Sequence, residues 1–127
     1  MAKNPEEWMR QAGYDMDTAE YMFKGERYFY TVFLCHLSLE KALKAIYQKK
    51  FNVIPSSTNS LPYLIEKVQL KLPDDLSNAV SVLNRMRVFP YYPDDLRKLL
   101  NDYDKDKTSV ILEKSREALT WLSEIEK

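Results

Sequence analysis

The fold is decided by residues 28–50, which read YFYTVFLCHLSLEKALKAIYQKK and include the longest dense apolar stretch of the chain. Apolar side chains recur there at close to the helical period and occupy more than one face of the expected helix. They are Val32, Cys35, Leu39, Leu43 and Ile46 on one stripe, widened by Phe29, Phe33 and Leu37. A helix of this kind is either central in a bundle or faces a second subunit. We therefore expect helix 2, over about residues 27–50, to organise the fold.

The segment before it predicts a first helix over residues 5–24. Asn4 can cap this helix, Pro5 suits its first position, and two glutamates follow in the first turn. Its apolar face consists of Trp8, Ala12, Met16, Ala19 and Phe23. Gly25 is a suitable stop, because glycine often follows the last helical residue.

The segments after helix 2 predict three further helices. Residues 51–60 form a polar connector, and a short helix follows whose apolar side begins at Leu61. Pro73 ends that region, and Asp74 or Asp75 is expected to cap helix 4, which extends to about Val88.

Residues 89–95, which read FPYYPDD, interrupt the helical pattern. Two prolines in this segment cannot continue a helix. Residues 96–107 are charged and are expected to be partly mobile. The last helix is expected over about residues 108–126, where apolar side chains again recur at helical spacing.

These patterns together predict an all-α fold. Four long amphipathic segments and one short helix, without strand-like alternation, are typical of an antiparallel up-down four-helix bundle with an additional short helix. The 127 residues are the length of one ordinary domain, so we expect a single domain over residues 1–127.

The composition excludes some classes of partner. The chain has 19 Lys and Arg residues and 19 Asp and Glu residues, so its net charge is zero. This argues against general electrostatic binding to nucleic acid or anionic lipid. Cys35 is the only cysteine, so a reducing, cytoplasmic location is expected. The apolar run is too short to span a bilayer, and no membrane association is predicted. Two glycines in all nearly exclude a phosphate-binding glycine loop.

The sequence offers no complete catalytic or metal site. His36 is the only histidine, and it points about 100° away from its neighbour Cys35 on a helix, so the two cannot act together on one ion or substrate. His36 and Glu40 lie on the same face of the helix, but two such side chains alone do not make a metal or catalytic site. Asp94 and Asp95 are typical of caps or turns. We predict no metal, no cofactor and no catalytic residue.

The best candidate for recognition is the segment that closes helix 4. Arg85 and Arg87 can contact phosphate, and Tyr91 and Tyr92 can stack on bases, with Asp94 beside them. The alternative is structural: the arginines neutralise the helix end or pair with the following aspartates, and the tyrosines cover the end of the bundle. Lys41 and Lys44 are expected on a solvated face.

Four segments together resemble the HEPN domain family. Residues 35–46, CHLSLEKALKAI, are similar to its second-helix signature, which leads into Glu-Lys-Ala-Leu-Lys-Ala. Trp8, Ala12, Asp15 and Ala19 resemble its first helix. Residues 55–61, PSSTNSL, resemble its Pro-x-x-Thr-His-x-Leu connector, and residues 91–94, YYPD, its Arg-Tyr-Pro-Asp segment. The resemblance covers nearly the whole chain in the right order.

This resemblance implies a role associated with nucleotides or RNA. Family members often form dimers and are often encoded beside a small nucleotidyltransferase, some as toxin–antitoxin pairs. The resemblance adds Asn59 and Lys44 to the candidate ligand-binding residues. The others, named above, are Arg85, Arg87, Tyr91, Tyr92 and Asp94. Many members are ribonucleases in which a histidine follows an arginine after four to six residues. No histidine follows Arg85 or Arg87 here, Asn59 replaces the connector histidine, and Tyr91 replaces the arginine.

Three functions therefore stay open. The first is a non-catalytic nucleotide- or RNA-binding module that dimerises through helix 2 and pairs with a nucleotidyltransferase. The second is a divergent ribonuclease. The third is a purely structural dimerisation or interaction module.

Overall fold

The computed structural model describes residues 4–86 and 95–127, and within these ranges it contains helices and no strand. The helices are α1 (Pro5–Lys24), α2 (Tyr28–Phe51), α3 (Leu61–Val68), α4 (Asp74–Arg85), α5 (Leu96–Asp102) and α6 (Lys105–Glu126). The predicted all-α bundle is confirmed, with two short helices, α3 and α5, where the sequence predicted one.

The bounds predicted for α1 and α2 are confirmed to within one residue. Asn4 caps α1, since its Oδ1 accepts a hydrogen bond from the backbone N–H of Glu7 at 2.7 Å. Gly25 ends the helix, and its own N–H bonds to the carbonyl of Tyr21 at 3.0 Å. These signals are local in the sequence, which is why they could be interpreted without the fold.

The centre of the bundle is α2, which contacts every other helix of the described chain. Its most buried apolar side chains form the middle of the core, and α1, α4 and α6 pack their own apolar faces against it. The core includes Met16, Val32, Leu39, Leu43, Leu64, Leu83, Ala118 and Leu122. The apolar breadth of α2 is therefore explained in large part by its central position.

One expectation about the later helices was wrong, and one helix, α5, was not predicted. Residues 96–107 are largely helical, because Asp95 caps α5 through the N–H of Lys98 at 3.2 Å and Asp104 caps α6 through the N–H of Lys107 at 2.7 Å. Asp74 and Asp75 do not cap α4. They lie in its first turn, where the helix dipole favours carboxylates, and Pro73 is the cap residue. The predicted extension of α4 to residue 88 lies outside the described residues.

The last turn of α2 stabilises the ends of two other helices. The Nζ of Lys50 donates to the carbonyl of Val68, at the end of α3, at 2.9 Å. The Nζ of Lys49 donates to the carbonyl of Glu126, at the end of α6. Carbonyl groups at helix C-termini lack partners within their own helix, so these lysines supply donors where they are needed.

Candidate functional site

Four charged side chains form two ion pairs at the contact between α1 and α2. Lys41 lies 2.9 Å from Oδ2 of Asp15 on α1, and Lys44 lies 2.9 Å from Oε2 of Glu40. The expectation that both lysines lie on a solvated face was wrong, since the side chain of Lys44 is 9% exposed and that of Lys41 is 20% exposed. Apolar periodicity could not show that α1 would supply a carboxylate at this position.

Lys44 is engaged on two sides. Besides its bond to Glu40, its Nζ lies 5.8 Å from the centroid of the Trp8 ring, a cation–π contact. The Trp8 indole N–H in turn donates to Oε1 of Gln48 at 2.8 Å. The candidate ligand residue Lys44 is thus part of the contact between α1 and α2.

The only imidazole and the only thiol are both buried in the bundle. The Nδ1 of His36 lies 3.8 Å from Oε1 of Glu40, as expected for residues four apart, and the residue is 6% exposed. Burial raises the pKa of Cys35 to about 12, against the weaker effect of a hydrogen bond with Ser115. The thiol is therefore protonated at neutral pH and is a poor nucleophile.

No metal site is formed by the residues that the structure describes. Within residues 4–86 and 95–127, no three His, Cys, Asp or Glu side chains come together in a way that could hold an ion.

Arg85 lies at the exposed end of α4, between two neighbours that are held in place. On one side, Oδ1 of Asn84 accepts a hydrogen bond from the backbone N–H of Leu61 at 3.3 Å. On the other side, the carbonyl of Met86 accepts a hydrogen bond from the Tyr103 hydroxyl at 2.9 Å. Arg85 itself makes no ion pair within the described part of the chain.

Asn59 belongs to the same region. It is partly buried in the connector, two residues before Leu61, whose N–H bonds to Asn84. The structure therefore brings the connector segment of Asn59 beside the last turn of α4, which carries Arg85. Four other candidate ligand residues, Arg87, Tyr91, Tyr92 and Asp94, lie outside the described residues.

Tyr103 is a residue of this region that the sequence analysis missed. It is 5% exposed, and its ring packs edge-on against Phe29 of α2, with centroids 5.5 Å apart and an interplanar angle of 67°. It lies between two charged segments, so apolar periodicity gave no signal. A single aromatic side chain between the cap signals Asp95 and Asp104 is the one feature that could have indicated it.

A separate groove of about 220 Å³ lies between α4 and α6. Its apolar lining includes Ala79, Val82 and Ile111. Lys114 bonds to Asp75 beside it at 3.1 Å, and this hydrogen bond lowers the pKa of Asp75 and raises the pKa of Lys114. The two charged residues that line the groove therefore neutralise each other.

Comparison with known proteins agrees with this architecture. Residues 5–125 match the model of the HEPN domain. The chain belongs to the HEPN domain family. The resemblance seen in the sequence is thereby confirmed. The comparison with curated protein sequences gave no match.

Two solved structures share this HEPN fold. One is the crystal structure of an archaeal HEPN homologue, 22% identical, with a TM-score of 0.78 over 98% of this chain and 99% of that chain. The other is that of a protein from Thermus thermophilus, 19% identical, with a TM-score of 0.78 over 94% and 96% of the two chains. At these identities the likeness shows the fold alone.

The residues that carry the HEPN resemblance in the first two helices are largely those that join them. Asp15 pairs with Lys41, Trp8 lies against Lys44, and the hydroxyl of Ser38 donates to the carbonyl of Ala12 at 2.6 Å. The signature in this part of the chain thus describes how α1 and α2 pack.

None of the helices in residues 4–86 and 95–127 combines the length and apolarity needed to cross a membrane.

Proposed function

We propose that this HEPN-domain protein is a non-catalytic module that binds a nucleotide or RNA through the end of α4. It acts as a homodimer and is paired with a small nucleotidyltransferase. The binding part rests on Arg85, whose exposed guanidinium makes no ion pair within the described residues. The residues before and after it in the chain, Asn84 and Met86, are both anchored by hydrogen bonds.

Arg85 suits a phosphate ligand. A guanidinium presents donors in a fixed plane that matches two oxygens of a phosphate, and such charge-assisted bonds are stronger than neutral ones. Asn59 lies in the neighbouring connector and is partly buried, and its amide offers a donor and an acceptor to a ribose or base. The charge balance of the chain favours one such local site over a broad basic surface.

The non-catalytic part is supported by the burial of the side chains that could act as a general base or a nucleophile. RNA cleavage requires a base that can reach the attacking hydroxyl. His36 is 6% exposed and lies against Glu40, and the Cys35 thiol is buried. A divergent ribonuclease remains the alternative, and prolonged incubation of labelled RNA with pure protein tests it. Cleavage that disappears in His36→Ala would overturn the non-catalytic proposal.

The binding proposal is tested by titrating ATP and a short single-stranded RNA into the protein. Arg85→Ala should weaken binding about tenfold, equivalent to the loss of roughly one charge-assisted hydrogen bond. Arg10→Ala is the matched control, because it removes one exposed arginine from α1, away from the end of α4. Its affinity should stay within about twofold of the wild type. Absence of binding at millimolar ligand, or equal losses in both variants, would overturn the proposal.

The dimer is proposed to form through the outer side of α2. Tyr30 is 46% exposed, and Phe33, Leu34 and Leu37 keep part of their apolar surface in solvent although α2 is central. Such residues, close together along one helix, form an apolar strip that a second copy can cover. The zero net charge of the chain does not oppose self-association.

Light scattering at micromolar concentration tests this interface. The wild type should have the mass of two chains, and Leu37→Asp should have the mass of one while keeping its helical circular dichroism. Ile54→Asp is the control, since it places the same charge at an apolar side chain that is 72% exposed in the connector. A monomeric wild type, or a Leu37→Asp dimer, would contradict the proposed interface.

The nucleotidyltransferase pairing is supported by membership of the HEPN family. Co-expression with a small nucleotidyltransferase encoded beside this chain should yield a stable complex on size exclusion. If the pair is a toxin–antitoxin system, growth arrest caused by the HEPN chain alone should be relieved by the partner. Separate elution of the two proteins would remove the pairing from the proposal.

A further inference from the structure

Tyr103 connects three parts of the bundle that are far apart in the sequence. It follows α5 and precedes α6, its ring packs against Phe29 near the start of α2, and its hydroxyl donates to the carbonyl of Met86 at the end of α4. At 5% exposure, it is one of the most buried polar-tipped side chains of this region.

The hydrogen bond between Tyr103 and Met86 satisfies two polar groups that would otherwise lack a partner. The last carbonyl groups of a helix have no partner within the helix, and Met86 is the C-cap residue of α4. A buried tyrosine hydroxyl in turn requires a partner, because an unpaired polar group in an apolar setting is unfavourable. The distance of 2.9 Å is that of a regular hydrogen bond.

This bond fixes the backbone next to Arg85. Asn84 on one side is tied to Leu61, and Met86 on the other side is tied to Tyr103. The Arg85 side chain is exposed, while its neighbours are held, Asn84 through its side-chain oxygen and Met86 through its carbonyl. A binding group on a held backbone loses less conformational freedom when it binds, so affinity is higher for the same contacts.

We propose that Tyr103 is a positioning residue for an anion-binding site at Arg85, with its hydroxyl holding the end of α4 in the orientation that receives a nucleotide phosphate. This inference rests on the function proposed above. The tyrosine does not touch the ligand. It acts through the Met86 carbonyl, and its ring serves the core independently of its hydroxyl.

Tyr103→Phe separates these two roles. The variant keeps the ring that packs on Phe29 and removes only the bond to Met86. The last turn of α4 should then open more often, since a helix end without its partner frays locally. Affinity for ATP should fall about five-fold, which corresponds to the net effect of one hydrogen bond.

The experiment measures two quantities on the full chain: the dissociation constant for ATP, and amide hydrogen exchange at residues 84–86. Leu122→Val is the control, because it weakens the core at a side chain that is 1% exposed on α6. It should lower the melting temperature without changing the affinity. Tyr103→Phe should lower the affinity and speed exchange at residues 84–86 more than Leu122→Val does.

Each outcome decides a separate question. If Tyr103→Phe binds ATP like the wild type, or if both variants lose affinity in proportion to their loss of stability, the positioning role is overturned. If the wild type binds neither ATP nor the short single-stranded RNA at millimolar concentration, the proposed function fails. The exchange data then test the role of Tyr103 by themselves. Unchanged exchange at residues 84–86 in Tyr103→Phe overturns that role, and faster exchange in this variant alone shows that the hydroxyl holds the end of α4.

Discussion

The ammonium of Lys41 on α2 lies 2.9 Å from Oδ2 of Asp15 on α1, at a place where the two side chains are 20% and 12% exposed. Within the described residues, Oδ2 of Asp15 has no hydrogen bond of regular geometry, so the attraction is chiefly Coulombic. In such a partly shielded setting, each charge depends on the other, because an unpaired charge would be left where water solvates it poorly. The pair is therefore one of the contacts that join α1 to α2, beside those of Trp8 with Lys44 and of Ser38 with Ala12.

Asp15→Ala should lower the free energy of unfolding by about 2 kcal/mol, since it leaves the Lys41 ammonium shielded without its partner. Lys41→Ala should have a similar effect, and the double variant should lose clearly less than the sum. Urea denaturation of the three variants measures this coupling. Arg10→Ala is the control, because its exposed ion pair with Glu7 should contribute less than about 1 kcal/mol. Additive losses would show that the two charges act independently.

Thr108→Val should stabilise the protein by about 1 kcal/mol. Thr108 is 0% exposed in the first turns of α6, and its hydroxyl has no hydrogen-bond partner within the part of the chain that the structure describes. Valine has nearly the same shape and removes the buried hydroxyl. Thr120→Val is the control, since the Thr120 hydroxyl is bonded to the carbonyl of Arg116 on an exposed side of the same helix. Thermal unfolding compares the two, and a destabilised Thr108→Val would indicate that the hydroxyl is satisfied in solution.

The Cys35 thiol should make stability fall at alkaline pH. Burial raises its pKa from 9.0 to about 12, so the unfolded chain loses this proton at lower pH than the folded chain. Its contribution is therefore fully present below about pH 9 and is lost as the pH rises from about 9 to about 12. The difference in unfolding free energy between wild type and Cys35→Ala, measured from about pH 7 to about pH 11, should shrink as the pH rises. A constant difference would show that the folded thiol ionises normally.

Features that depend on interactions within a few residues can be predicted from the sequence, and features that depend on distant residues cannot. Asn4, Gly25 and the apolar period of α2 act within a few residues, so the bounds of α1 and α2 could be predicted. The burial of Lys44 could not, because it depends on Trp8, a residue of another helix. Tyr103 was missed for the same reason.

At the candidate site, residue types could be predicted but their surroundings could not. Arg85 was identified by its chemistry as an arginine at a helix end. The anchors on both sides of it, Asn84 with Leu61 and Met86 with Tyr103, join segments that are 23 and 17 residues apart. Single contacts between distant segments produce no periodic pattern in the sequence, so they cannot be predicted from it.

Lys50→Met should loosen α3 without disturbing the rest of the bundle. The Nζ of Lys50 donates to the carbonyl of Val68, the last residue of α3. Because α3 has only eight residues, the loss of this one C-terminal partner should be felt along the whole helix. Methionine keeps the aliphatic length and removes the charge, and amide exchange within residues 61–70 should rise about threefold. Lys67→Met is the matched control, because Lys67 lies in the last turn of α3 itself and its Nζ is directed to the ring of Tyr63 at 5.6 Å. Exchange that rises equally in both variants would attribute the effect to lost positive charge near the helix end, and unchanged exchange in Lys50→Met would show that α3 is held by its apolar face alone.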